Sequence, residues 1–115
     1  KMVLANAIKN VFVLAGGSVE FTGQYPGWRP NMESPILVTM KDAYKKLYDK
    51  EPGINVIHAG LECGILGAIY PNWDMISFGP TIRSPHSPDE RVEIASVEKW
   101  WNYLVEVLKN IPQKD

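Results

Sequence analysis

The chain has two histidines and one cysteine, and the acidic residues near them bound the chemistry it can offer. His86 stands among Pro80, Pro85 and Pro88, in a stretch (79–92) that the prolines keep from being a helix or a central strand. Prolines on either side predict a loop held in a fixed extended path. Rigid presentation suits an imidazole that ligates a metal, because the ring must keep its direction. A surface histidine in a proline-rich turn is the plainer reading, and the loop alone leaves both open. Asp89 and Glu90 read as solvated loop charges, with support behind His86 as the alternative.

A second group lies at residues 58–64. Glu62 falls where a helix should begin, so the helix dipole favours its ionised form and free backbone N–H groups surround it. Such a carboxylate can bind a substrate ammonium group; an ordinary first-turn glutamate fits the pattern as well. Gly60 and Gly64 permit close backbone approach to a ligand. His58, at the end of an expected strand, either hydrogen-bonds across a sheet or serves a site. Cys63 at a helix N-terminus, with two histidines as bases, has the parts of a cysteine hydrolase. Beside Ile65 and Leu66 it reads more simply as a small core residue. No glycine-rich phosphate loop, no clustered Cys and His ligand pair and no nucleophile elbow occurs. The chain by itself lacks the parts of a complete active site.

These residues need elements to hold them. Leu4, Ile8, Val11, Phe12 and Ala15 recur at helical spacing, and Gly16-Gly17 supplies the stop. Residues 18–24 then read as a short strand with Val19 and Phe21 on one face. Tyr25-Pro26-Gly27-Trp28 has the residues of a type II turn, and Arg29-Pro30-Asn31 continues the break as a hinge or boundary. Ser34-Pro35 is an N-cap followed by proline at the first helical position, and Leu37, Met40, Tyr44 and Leu47 form the stripe of a second helix. Pro52-Gly53 closes it. Residues 54–57 suit a buried strand, a short third helix ends before Pro71, and residues 74–78 suit another strand. Val97, Trp101, Leu104, Leu108 and Ile111 share one face of a last helix, opposite Glu98, Asn102, Glu106 and Lys109. Strands alternating with helices predict an α/β layer, with both histidine-bearing loops past the carboxyl ends of strands.

At 115 residues and 45% hydrophobic composition the chain is one small domain at most, with apolar material for a core. A net charge of -1, with acids and bases interleaved, implies neither a nucleic acid nor an anionic membrane as partner. The apolar runs fall short of the roughly 20 residues of a membrane span, and no signal-peptide pattern leads the chain. A single cysteine excludes an internal disulfide framework and accords with a cytoplasmic location. Lys1 opens almost directly into helical pattern, which reads as a cut piece of something longer.

Three blocks, "QYPGWRPN", "IHAGLECG" and "ISFGPTIRSPHSPDERVEIASVEKWW", closely resemble the C-terminal part of the aminoacyl-histidine dipeptidases, Xaa-His dipeptidases of the M20 metallopeptidase family. The resemblance covers most of the chain in the family's order and spacing. It implies a parent with a catalytic domain binding two zinc ions and a smaller lid domain inserted into it. Residues 1–30 would then be the last helix and strand of the lid (dimerisation-type) domain, and residues 31–115 the C-terminal half of an α/β, zinc-exopeptidase-like catalytic domain. His86 matches the family's late metal-ligand histidine. Glu62 and Gly64 match a loop facing the substrate. The resemblance gives His58 no role.

The family's other metal ligands and its general-base glutamate have no counterpart in this chain, so the resemblance implies no catalytic residue here and an inactive isolated chain. The partners implied are a dipeptide substrate and the rest of the catalytic domain, with a homodimer through the unpaired edge of the strand at 18–24. The alternative is a stand-alone α/β module that kept half of the fold without the chemistry and serves in binding or assembly.

Overall fold

Helix caps and breakers decide most of the architecture. A computed structural model describes residues 1–56 and 62–111, so His58 and the end of the expected strand at 54–57 lie outside the described residues. Helix α1 runs Met2–Leu14. It stops as its sequence predicts: Gly16 takes a φ of 82°, and the N–H groups of Gly16 and Gly17 return to the carbonyls of Val13 and Phe12 at 3.0 and 2.9 Å. No residue of α1 is buried.

Helix α2, Pro35–Tyr48, begins at the predicted cap, with Ser34 Oγ accepting the N–H of Leu37 at 3.2 Å. It ends earlier than Pro52-Gly53, because Asp49 adopts the left-handed conformation at φ 52° and its N–H closes on Lys45 O at 2.8 Å. Helix α3, Glu62–Ile69, ends before Pro71 as expected. Strands β1, Ile82–Arg83, and β2, Arg91–Val92, pair antiparallel with Ile82 opposite Val92 and Arg83 opposite Arg91. Helix α4, Ile94–Lys109, closes the order.

The core lies where α4 crosses α2. Leu37, Met40 and Ala43 of α2 and Val107 of α4 are the buried hydrophobic residues among those described. Tyr103 adds an edge-to-face contact with Tyr44 at 5.2 Å and another with Phe78 at 5.5 Å. Lys99 Nζ donates to Tyr44 Oη at 2.8 Å and lies 4.7 Å from the centre of the Tyr48 ring, while Tyr48 Oη donates to Lys99 O at 2.8 Å.

The packed face of α4 is rotated from the expected one. Trp100, Tyr103 and Val107 turn inward, whereas Trp101 is 57% exposed and Leu108 58%. Apolar residues occupy both flanks of this helix, so periodicity alone leaves two faces available. The rings of Tyr44 and Phe78 select the one that carries Trp100 and Tyr103. On α2 the buried third position is Ala43, which clusters with Met40 and with Val107 of α4.

The α/β layer is the largest departure. Residues 18–24, 54–56 and 74–78 form no strand, and the two short strands β1 and β2 make the whole sheet among the described residues. A strand exists by the hydrogen bonds of its neighbour, and no described segment lies alongside these three in pairing register. Residues 18–24 therefore have no pairing partner among the described residues.

The turn at 25–28 also differs, since Gly27 lacks the positive φ that a type II turn requires. With so few residues inside, the chain spans 60 × 41 × 21 Å and its Cα radius of gyration is 19.2 Å. A compact chain of this length has about 13 Å.

Candidate functional site

The His86 loop is built from its base upward. Glu93 N–H donates to Thr81 O at 3.0 Å and Thr81 N–H donates to Ser96 Oγ at 2.8 Å, while Ser96 Oγ donates to Glu93 O at 2.6 Å. One hydroxyl in the first turn of α4 thus ties both legs of the hairpin to the helix. Arg83 and Arg91 stand directly opposite, a like-charge pair that would open the ladder. Arg83 Nη2 is drawn instead to Glu93 Oε2 at 3.0 Å, and Arg91 Nη1 to the carbonyl of Asp89 at 3.3 Å.

Above the ladder the loop is not extended, contrary to the expectation from its prolines. Ser84 and His86 both take left-handed backbone conformations, at φ 50° and 62°. Pro85 fixes only its own φ, and the residues on either side turn the chain sharply. Glu90 Oε2 accepts the backbone N–H of His86 at 2.7 Å, Glu90 N–H donates to Ser87 O at 3.0 Å, and Asp89 N–H donates to Ser87 Oγ at 3.2 Å. Glu90, read from sequence as a solvated charge, is tied into the loop. The His86 side chain stays exposed.

The other candidates lie elsewhere. Glu62 is exposed in the first turn of α3. Gly64 is buried against the segment before α2, and a Cβ placed on it would meet the carbonyl oxygen of Pro26 at 2.8 Å. Its lack of a side chain therefore already has a packing reason. Cys63 is half-buried and free.

Gly64 also borders a groove of about 1000 Å³ whose walls include Trp28, Tyr44, Phe78, Trp100 and Tyr103. Neither Glu62 nor His86 is among its lining residues. Trp100 Nε1, on that wall, is a buried donor without a partner among the described residues. Sequence reading overlooked this groove, because its walls come from segments far apart in the chain. It also overlooked Asp74, whose carboxylate closes the N-terminus of α2 through Ser34 Oγ at 2.6 Å and Ile36 N at 2.9 Å.

Charge shifts concentrate at the helix contact. Burial, reinforced by the neighbouring Tyr44 and Tyr48, pushes the Tyr103 hydroxyl up to about 12. The hydrogen bond to Tyr44 raises the Lys99 ammonium above its ordinary value. Hydrogen bonds from Lys46 and Asn110 hold the Glu106 carboxyl below the usual carboxylate range. These groups bind the two helices together and lie apart from the His86 loop in sequence.

Comparison with known proteins meets this geometry at the level of the whole chain. The sequence is 52% identical over 101 residues to the cytosol non-specific dipeptidase of Escherichia coli strain K12, which covers 88% of the chain and 21% of that relative. The crystal structure of aminoacylhistidine dipeptidase from Vibrio alginolyticus superposes with a TM-score of 0.76 at 47% identity, over 99% of the chain and 23% of that structure. The chain is a homologue of part of these dipeptidases. It spans between a fifth and a quarter of their length. No family model matches it.

The resemblance to the metallopeptidases implies a metal, and the donor set can be weighed for it. His86 fits one ligand's share, being an exposed imidazole on a loop pinned to α4. The remainder does not amount to a centre, since no group of three or more His, Cys, Asp or Glu side chains converges among the described residues. Catalytic zinc takes about three protein ligands.

Proposed function

We propose that this chain is the C-terminal part of the catalytic domain of a metal-dependent dipeptidase, preceded in residues 1–30 by the end of an inserted lid domain and running as catalytic domain from residue 31 to 115. The 52% identity to a dipeptidase over 88% of the chain carries the reading. In it, His86 donates one imidazole to a zinc centre, and Glu62 and Gly64 belong to the loop that faces the substrate. The other metal ligands and the general base come from outside these residues, so the isolated chain is inactive. Xaa-His dipeptides are the proposed substrates, which the name of the Vibrio relative supports; the name of the E. coli relative describes a broader range. A cytoplasmic location is the proposed one, which that second name supports.

The test belongs in the complete dipeptidase polypeptide that carries this sequence. His86→Ala is expected to remove most of the dipeptide hydrolysis and to lower the bound metal, with the circular dichroism spectrum unchanged. Full activity with normal metal content sinks the assignment. Hydrolysis rates for Xaa-His dipeptides against dipeptides without histidine decide the substrate range. The large aromatic groove favours a second reading, a stand-alone binding or assembly module. That reading gains if a natural chain of 12.9 kDa is found in cells.

A further inference from the structure

The carboxylate of Glu90 reaches back over four residues to the backbone of the proposed ligand. Its Oε2 lies 2.7 Å from the amide nitrogen of His86, in a part of the chain where that amide has no backbone acceptor among the described residues. His86 stands at φ 62° and Ser84 at φ 50°, conformations that carry a strain cost for a residue with a side chain. A charge-assisted hydrogen bond is about twice as strong as a neutral one, which makes Glu90 the group best placed to offset that cost at His86. The left-handed backbone sets the direction in which Cβ leaves the chain, and hence where the imidazole can point. Glu90 is held in turn by its own N–H on Ser87 O at 3.0 Å, and the loop is closed below by the Ser96 hydroxyl.

We infer that Glu90 is a positioning residue, whose carboxylate fixes the left-handed backbone of His86 and through it the direction of the imidazole toward a divalent metal. The inference rests on the reading of His86 as a ligand. It gives Glu90 no contact with metal or substrate.

The experiment uses the complete dipeptidase polypeptide carrying this sequence, stripped of metal and titrated with Zn2+ against a chromophoric chelator. Glu90→Ala is expected to weaken Zn2+ binding by about tenfold, the size of effect found when a group that orients a ligand is lost. Glu90→Gln, which keeps an acceptor oxygen at the same reach, is expected to recover most of that loss. Without metal, the amide proton of His86 should move upfield and exchange faster in Glu90→Ala, while the far-UV circular dichroism spectrum stays unchanged. Zn2+ binding within about twofold of the parent in Glu90→Ala, while His86→Ala weakens it strongly, overturns the positioning role alone. Zn2+ binding untouched by His86→Ala overturns the ligand reading, and the positioning role with it.

Discussion

Asp74 caps a helix that starts 39 positions before it: its Oδ1 accepts the Ser34 hydroxyl at 2.6 Å and its Oδ2 accepts the N–H of Ile36 at 2.9 Å. Ser34 is the most deeply buried polar residue described, at 2% exposure. Asp74→Ala leaves its hydroxyl and the Ile36 amide without their acceptor. The expected cost is about 1–2 kcal/mol, read as a lower urea midpoint with faster amide exchange in the first turn of α2. An unchanged midpoint would mean that Asp74 is merely adjacent to the cap.

Gly64 and Gly67 sit one turn apart on α3 and should respond oppositely to alanine. A helical Gly→Ala change is worth roughly 1 kcal/mol in favour of the helix. At Gly67 the new methyl would lie 3.1 Å from the end of the Met75 side chain, which can swing away, so Gly67→Ala should be neutral or stabilising. At Gly64 it would meet the Pro26 backbone at 2.8 Å, where no rotamer gives relief. Overpacking of about 1–3 kcal/mol then outweighs the propensity gain. Thermal melts of the two variants test the sign.

Tyr103 Oη donates to Met40 O at 2.9 Å, so Tyr103→Phe removes the hydroxyl and leaves a half-buried carbonyl, at about 1 kcal/mol. Its folded pKa, about 12, lies above the ordinary value of 10.0. Stability from this group is therefore complete below pH 10 and is lost as the pH rises through 12. Denaturant midpoints across that alkaline range should fall in the parent and fall less in Tyr103→Phe.

Glu106 sets the acid side. Lys46 Nζ donates to its Oε1 at 2.6 Å across the α2–α4 contact, and the folded pKa is lowered. A carboxyl with a depressed folded pKa contributes stability above its unfolded pKa and loses it as the pH falls through the folded one. The stability from this pair should begin to fall as the pH drops through the ordinary carboxylate range and be gone below the lowered folded value, and Glu106→Gln should flatten that limb. An identical acid limb in the variant would show that the ion pair contributes nothing.

Local chemistry explains which elements were legible in the sequence. Gly16-Gly17, Ser34-Pro35 and Pro71 act through their own φ angles and missing or available hydrogen bonds, so α1, the start of α2 and the end of α3 follow from a few residues each. The resemblance to dipeptidases was legible for a related reason, since the blocks around Pro26, Glu62 and His86 are local strings that can be read without the fold, and the chain is 52% identical to a dipeptidase over 101 residues.

Tertiary structure decided the rest. Whether residues 54–56 and 74–78 become strands depends on a neighbour to pair with, and a segment does not encode its neighbour. The face that α4 buries depended on Tyr44 and Phe78 rather than on its own periodicity. The close contact of Gly64 with Pro26 came from a segment far away in the chain. Glu90 looked solvated and holds the His86 amide, because a left-handed backbone turned that N–H toward a carboxylate four positions on. Residue type and spacing determined what the chain could begin, end and resemble; contacts between distant segments determined where each side chain went.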